Sequence, residues 1–161
     1  SVKQFSKITY NSLSNSSHYS VKDLIGSDIY SLLSSDDCED ALALYLQLEH
    51  NYMMLPSSCK EDTLAYEYEL IHRNTGRTAV VQVKNGHVNL DRNAYANIDG
   101  DVYLFTTKGH VYGRELENVY SVSPEEISSF LYRKIDLMPK KIKAWLTMTI
   151  PATQADEALS M

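Results

Sequence analysis

Two short β-rich runs separated by a turn constrain this chain more than any other feature. Tyr66-Glu67-Tyr68-Glu69-Leu70-Ile71 leads into Asn74-Thr75-Gly76-Arg77, and Thr78-Ala79-Val80-Val81-Gln82-Val83-Lys84 follows. Alternate residues of a strand point to opposite faces and directly opposed residues share a face, so a hairpin fixes which side chains meet. With Thr75-Gly76 as the tight turn and Asn74 paired with Arg77, Glu69 falls opposite Gln82 and Glu67 opposite Lys84. One face then carries Glu67, Glu69, Ile71, Val80, Gln82 and Lys84, and the other Tyr66, Tyr68, Leu70, Ala79, Val81 and Val83. The second set is a core face.

The polar face has two readings. One is a half-solvated hairpin with a cross-strand Glu-Lys pair, an arrangement that stabilises by up to about 1 kcal/mol. The other is a divalent-metal site, since oxygen ligands suit Mg²⁺ and a neighbouring ammonium can hold an anion or a water.

The remaining chain narrows the class. A length of 161 residues with 43% hydrophobic content fits one domain with a real core. The formal charge of −6 argues against coating nucleic acid or membrane through the net field, while leaving room for a local basic groove. Cys38 and Cys59 lack zinc-ligand spacing, and a reduced, cytoplasmic protein is the simplest expectation. No apolar run approaches the roughly 20 residues of a membrane span, and Ser1-Val2-Lys3-Gln4 opens no signal-peptide core.

Punctuation along the chain gives the organisation. Residues 1–20, rich in serine and asparagine, read as a loosely structured lead-in, 21–148 as a single domain, and 149–161 as a mobile tail. Val21 to Leu33 holds room for a short helix. Asp36 with Glu39 resembles a capping box, and Cys38, Leu42, Tyr45, Leu46 and Tyr52 then recur at helical spacing, predicting a helix over 36–51. Met53 to Lys60 reads as a loop around Pro56, and Leu90 to Asn97 as a helix or a loop over the sheet. Asp101 to Thr107 is an apolar run between glycine turns and suits a buried strand; Val119 to Val122 suits a second. Ser123-Pro124 predicts a helix over 124–134, and Pro139 opens a basic one to about Met148. The order helix, hairpin, strand, strand, helix, helix describes an α/β sandwich around a small mixed central sheet.

This order and the hairpin motif together resemble the PD-(D/E)xK nuclease superfamily. Gln82-Val83-Lys84 is similar to the QxK form of the Mrr-type restriction endonucleases, and Glu67-Tyr68-Glu69-Leu70-Ile71 to the E-x-D-L-I strand of resolvase-like relatives, with Glu69 where aspartate usually stands. Glu39 resembles the glutamate of the preceding helix, and the likeness covers roughly residues 36–106. The resemblance implies a restriction-endonuclease-like fold and a Mg²⁺- or Mn²⁺-dependent endonuclease acting on DNA, within a restriction or phage-defence system. Glu69 would be the main carboxylate ligand, Gln82 and the Val83 carbonyl would add neutral oxygens, and Glu39 would hold a second ion or a metal-bound water. Lys84 would orient or deprotonate water and stabilise the phosphate, with Glu67 supporting it. Enzymes of this type often dimerise to cut both strands, so a homodimer or further domains are open expectations.

Each assignment has a plainer counterpart. Asp62 is an alternative acidic ligand or a solvated loop carboxylate, and Glu39 also suits a helix N-terminus by complementing its dipole. His72, Arg73 and Arg77 flank the turn, where Arg73 and Arg77 can meet nucleic-acid phosphate or simply be the exposed charge ordinary at a turn. Arg133, Lys134, Lys140, Lys141 and Lys143 form a basic cluster that can touch a DNA backbone or simply face water. The tyrosines, 12 in all, read mainly as core positions. Two further functional readings stay beside the nuclease: a degenerate nuclease fold that binds nucleic acid or a protein, and an interaction module with a solvated polar face.

Overall fold

The computed structural model describes residues 28–58 and 66–150. The expected lead-in, Asp62 and Cys59, and the tail from 151 onward lie outside these residues. Contacts divide the chain into two units, one of residues 34–130 and one that combines 28–33 with 131–150 among the described residues.

The larger unit is built on a five-stranded mixed sheet in the order β1-β2-β3-β5-β7, where β1 is Tyr52–Met54, β2 Tyr68–His72, β3 Thr78–Lys84, β5 Asp101–Thr106 and β7 Val119–Ser121. β1 and β2 pair antiparallel, as do β2 and β3, whereas β3, β5 and β7 run parallel. Two further short strands, β4 (Leu90–Asp91) and β6 (Val111–Tyr112), form a separate parallel pair. Helix α1 (Ser35–Glu49) packs against β1 and β3, and α2 (Pro124–Arg133) begins in this unit. The chain is thus α/β around a mixed sheet, as the order of its elements predicts.

α1 starts earlier than the sequence reading placed it. The capping box is Ser34 with Asp37: Ser34 Oγ accepts from the Asp37 amide at 3.1 Å and Asp37 Oδ2 accepts from the Ser34 amide at 2.9 Å. Both ends of the motif are short-chain acceptors, so Ser34-x-x-Asp37 caps the helix and Glu39, in the second turn, takes no part in the cap. Cys38, Leu42 and Leu46 then recur on the buried side, and complete burial pushes the Cys38 thiol up to about 12. Tyr45 turns toward α2, donating to Glu126 Oε2 at 2.9 Å and meeting Phe130 edge-on. Met53 and Met54, expected in a loop, form the edge strand β1, with the Met54 amide also reaching the Gln47 side chain.

The hairpin register differs from the expected one by two residues. Tyr68 pairs with Val81, Glu69 with Val80 and Leu70 with Ala79, because the connection is a wider loop closed by the His72 amide on Arg77 O and the Gly76 amide on His72 O. A shift of two preserves the alternation of faces but changes every opposed pair. Glu67 therefore stands at the Gln82 level, its amide bonded to Val81 O at 2.8 Å. Nor is the polar face simply solvated. The segments on either side of β5 cover it: Leu90 and Tyr95 join Val80, Val102, Leu104 and Val119 in a buried cluster, with Ile98, Val111 and Leu116 packed against it. Tyr66, expected on the face opposite Glu67 and Gln82, packs against this cluster instead.

The smaller unit holds a 3₁₀ turn at Ile29–Ser31 that packs on α3 (Lys140–Thr149), the final helix, which ends one residue beyond the expected Met148. Ile142, Trp145, Leu146 and Thr149 form the buried stripe of α3. Among the described residues, no helix is long and apolar enough to cross a membrane.

Candidate active site

Parallel strands end together, and their carboxyl ends with the antiparallel neighbour beside them form a natural ligand crevice. Here β3 ends at Lys84 and β5 at Thr106, which are register partners, and β2 begins beside them just after Glu67. Three side chains from two adjacent segments converge there. Gln82 Nε2 donates to Glu67 Oε1 at 3.1 Å, and Lys84 Nζ stands 4.0 Å from the same oxygen. Gln82 is buried at 6% exposure, whereas the Lys84 and Glu67 side chains keep 42% and 28% of theirs. The cluster is open on the side of the charged groups.

Glu39 joins from α1. The hydroxyl of Tyr68, the residue after Glu67, donates to the Glu39 carbonyl at 3.0 Å and ties the second turn of the helix to the start of β2. The Glu39 carboxyl is held above the usual carboxylate range, first by burial and then by the charge of Glu67, with Asp36 and Asp40 adding to it and Lys84 opposing. Glu39, Glu67, Gln82 and Lys84 thus form one electrostatic group. The Val83 carbonyl also lies on this side. Thr107 N–H takes the Lys84 carbonyl toward β5, so the carbonyl one residue earlier points toward β2, past the last bond at Glu67.

Glu69, the expected main ligand, stands elsewhere. It is opposite Val80, one full side-chain repeat deeper along β2 or about 7 Å, and it accepts the Tyr66 hydroxyl at 2.6 Å. That bond is the first cause that raises the Tyr66 hydroxyl, ahead of burial. The register shift hands the position opposite Gln82 to Glu67. Arg77 pairs with Asp101 at 3.0 Å where β3 and β5 begin, about 20 Å of strand from Lys84, and Arg73 lines a shallow groove of about 450 Å³ with Leu44, Gln47 and Asn51. Neither belongs to the cluster. Lys140, Lys141 and Lys143 lie on α3 in the other unit, where Lys143 bonds Asp136 at 3.3 Å.

Sequence reasoning missed Tyr95. It sits on the 3₁₀ turn Arg92–Tyr95 over the sheet, buried at 6%, and its hydroxyl is raised by burial and then by the charge of Glu67. The only signal was an aromatic residue in a polar segment without a period. Behind the cluster the two strand-end loops are locked together: Thr106 Oγ1 donates to Val88 O, Thr107 Oγ1 accepts from the Gly86 amide, and a Cβ at Gly109 would collide with the Val88 carbonyl. Rigid loops beside Lys84 keep its backbone in place.

A hard divalent cation suits this donor set in kind: two carboxylates, one amide and one main-chain carbonyl, all oxygen. Among the described residues no group of three or more His, Cys, Asp or Glu gathers, so such an ion would rely on Gln82, water or phosphate oxygens to complete its shell. Comparison with protein-family models, with curated proteins and with solved structures returns no match.

Proposed function

We propose that this chain is a restriction-endonuclease-like domain of the PD-(D/E)xK type that hydrolyses DNA phosphodiesters with Mg²⁺ or Mn²⁺, in a restriction or phage-defence setting. The observation that carries the reading is the convergence of Glu67, Gln82 and Lys84 at the carboxyl edge of β3, with Glu39 of α1 within reach of the Glu67 and Lys84 charges. Glu67 and Glu39 would be the charged ligands, with the Gln82 amide oxygen and the Val83 carbonyl as neutral ones. The ion would neutralise charge that develops on the phosphate and lower the pKa of a bound water.

The chain's own residues supply the rest. Lys84, with nearly half of its side chain exposed and its ammonium beside Glu67, can meet a non-bridging phosphate oxygen or orient the attacking water. Glu67 keeps that ammonium close to the ligand oxygens. Tyr95, buried in the cluster that covers this face of the sheet, lies within the field of the Glu67 charge. The expected outcome is nicking of supercoiled plasmid by the full chain with Mg²⁺ or Mn²⁺, and its loss in Lys84→Ala; equal cleavage by both proteins overturns the mechanism.

One observation favours a second reading, a degenerate nuclease fold that binds nucleic acid or a partner. Gln82 and Lys84 already satisfy Glu67 Oε1 without any cation. Metal titration separates the two, because a binding module of this kind has no need to take up Mg²⁺.

A further inference from the structure

We propose that Gln82 is a two-state amide latch, with Nε2 turned to Glu67 in the cation-free protein and Oε1 turned inward when a divalent cation occupies the site. The inference rests on the metal-site reading above and concerns how that site is kept when empty and how it is filled.

An ionised carboxylate can only accept hydrogen bonds, so an amide that faces it must present its NH₂ group. Gln82 does so, with Nε2 3.1 Å from Glu67 Oε1. A cation takes an amide through its oxygen, and the orientation seen here therefore cannot ligate. The buried position of Gln82 makes this an either-or choice. Turned without a cation, Oε1 would lie acceptor to acceptor against Glu67 at a place with little water to relieve it. Left unturned with a cation on Glu67, the NH₂ group would face positive charge. The terminal torsion of glutamine is broad and roughly two-fold, so the side chain can exchange its oxygen and nitrogen without a rotamer change in the packed stem. The same amide thus substitutes for positive charge when the site is empty and joins the ligand set when it is full.

A glutamate at position 82 would lack this device, since it would set a third negative charge beside Glu67 and Glu39. It would ligate without turning, and it would make the empty site repulsive. Glutamine trades cation affinity for an empty site that is internally satisfied.

The test follows the Gln82 side-chain amide in ¹⁵N–¹H correlation spectra of the full chain, assigned by its disappearance in Gln82→Glu, while Mg²⁺ alone is added and its uptake is measured by calorimetry. The latch predicts that the Gln82 pair shifts with the calorimetric midpoint. It also predicts that Gln82→Glu binds Mn²⁺ at least about tenfold more tightly, because ligand charge sets affinity, and that Gln82→Met, with neither donor nor oxygen, binds it more weakly than the parent. A Gln82 pair that stays in place at calorimetric saturation overturns the latch and leaves the metal site standing. Absence of any Mg²⁺ or Mn²⁺ uptake by the parent overturns both. Unchanged affinity in both variants, with native circular dichroism, overturns the role of Gln82.

Discussion

Glu67 immediately precedes β2 and Glu69 lies within it, and their surroundings give them different partners. Glu69 is held by the Tyr66 hydroxyl, whereas Glu67 receives the Gln82 amide, has the Lys84 ammonium beside it and lies within the field of Glu39. Glu39 carries the consequence in its titration. Burial first, and the Glu67 charge second, raise its folded-state pKa above the ordinary glutamate value of about 4.3, so its contribution to stability is complete below that value and is lost as pH rises through the folded pKa. In cation-free buffer, the stability of the parent relative to Glu39→Gln should therefore fall as pH is raised from the acid side through this window, and added Mg²⁺ should reduce the difference. Denaturant midpoints across pH measure it; parallel curves for the two proteins would show that Glu39 feels no such field. The effect is modest because Glu39 is only partly buried and water screens the exposed part of its field.

At the level of elements, the site depends on where α1 begins. Ser34 and Asp37 cap the helix reciprocally, and Tyr68 ties the Glu39 carbonyl to β2, so the cap sets the height at which Glu39 meets Glu67. Ser34→Ala should cost about 1 kcal/mol of stability, read from chemical denaturation, and should weaken Mg²⁺ uptake as the first turn frays; an unchanged midpoint would place the start of the helix elsewhere. The elements themselves were largely legible. Cys38, Leu42 and Leu46 announced α1, the apolar run at 101–106 announced β5, and Ser123-Pro124 announced α2. Register was not, because Asn74-Thr75-Gly76-Arg77 permits both a two-residue turn and the wider loop that forms, and each keeps the apolar face inward. That ambiguity put Glu69, rather than Glu67, beside Gln82 in the expected register. The cap was misplaced for a similar reason, since Asp36-x-x-Glu39 and Ser34-x-x-Asp37 both fit the pattern. β4, β6 and the covering of the polar face by Leu90 and Tyr95 left no local signal, since short polar segments bury residues only when a distant sheet receives them.

Taken as a whole, an acidic chain of net charge −6 does not draw DNA through its overall field, so affinity for a phosphodiester has to come from local features. The carboxyl edge of β3 concentrates them: Lys84 with two carboxylates that a divalent cation would convert from repulsive to attractive toward phosphate. Catalysis, if built on this edge, is indifferent to charges at the opposite end of the sheet, where Arg77 is already committed to Asp101. The central claim is that the site is built on Glu67, which receives the Gln82 amide, and not on Glu69 of β2. The most direct measurement is Mg²⁺-dependent plasmid cleavage by the full chain compared with Glu67→Gln and Glu69→Gln at matched folding. The account predicts loss of at least about a hundredfold in Glu67→Gln, by analogy with removal of a transition-state charge contact, and near-parental cleavage in Glu69→Gln. Cleavage that survives Glu67→Gln and disappears in Glu69→Gln would contradict it.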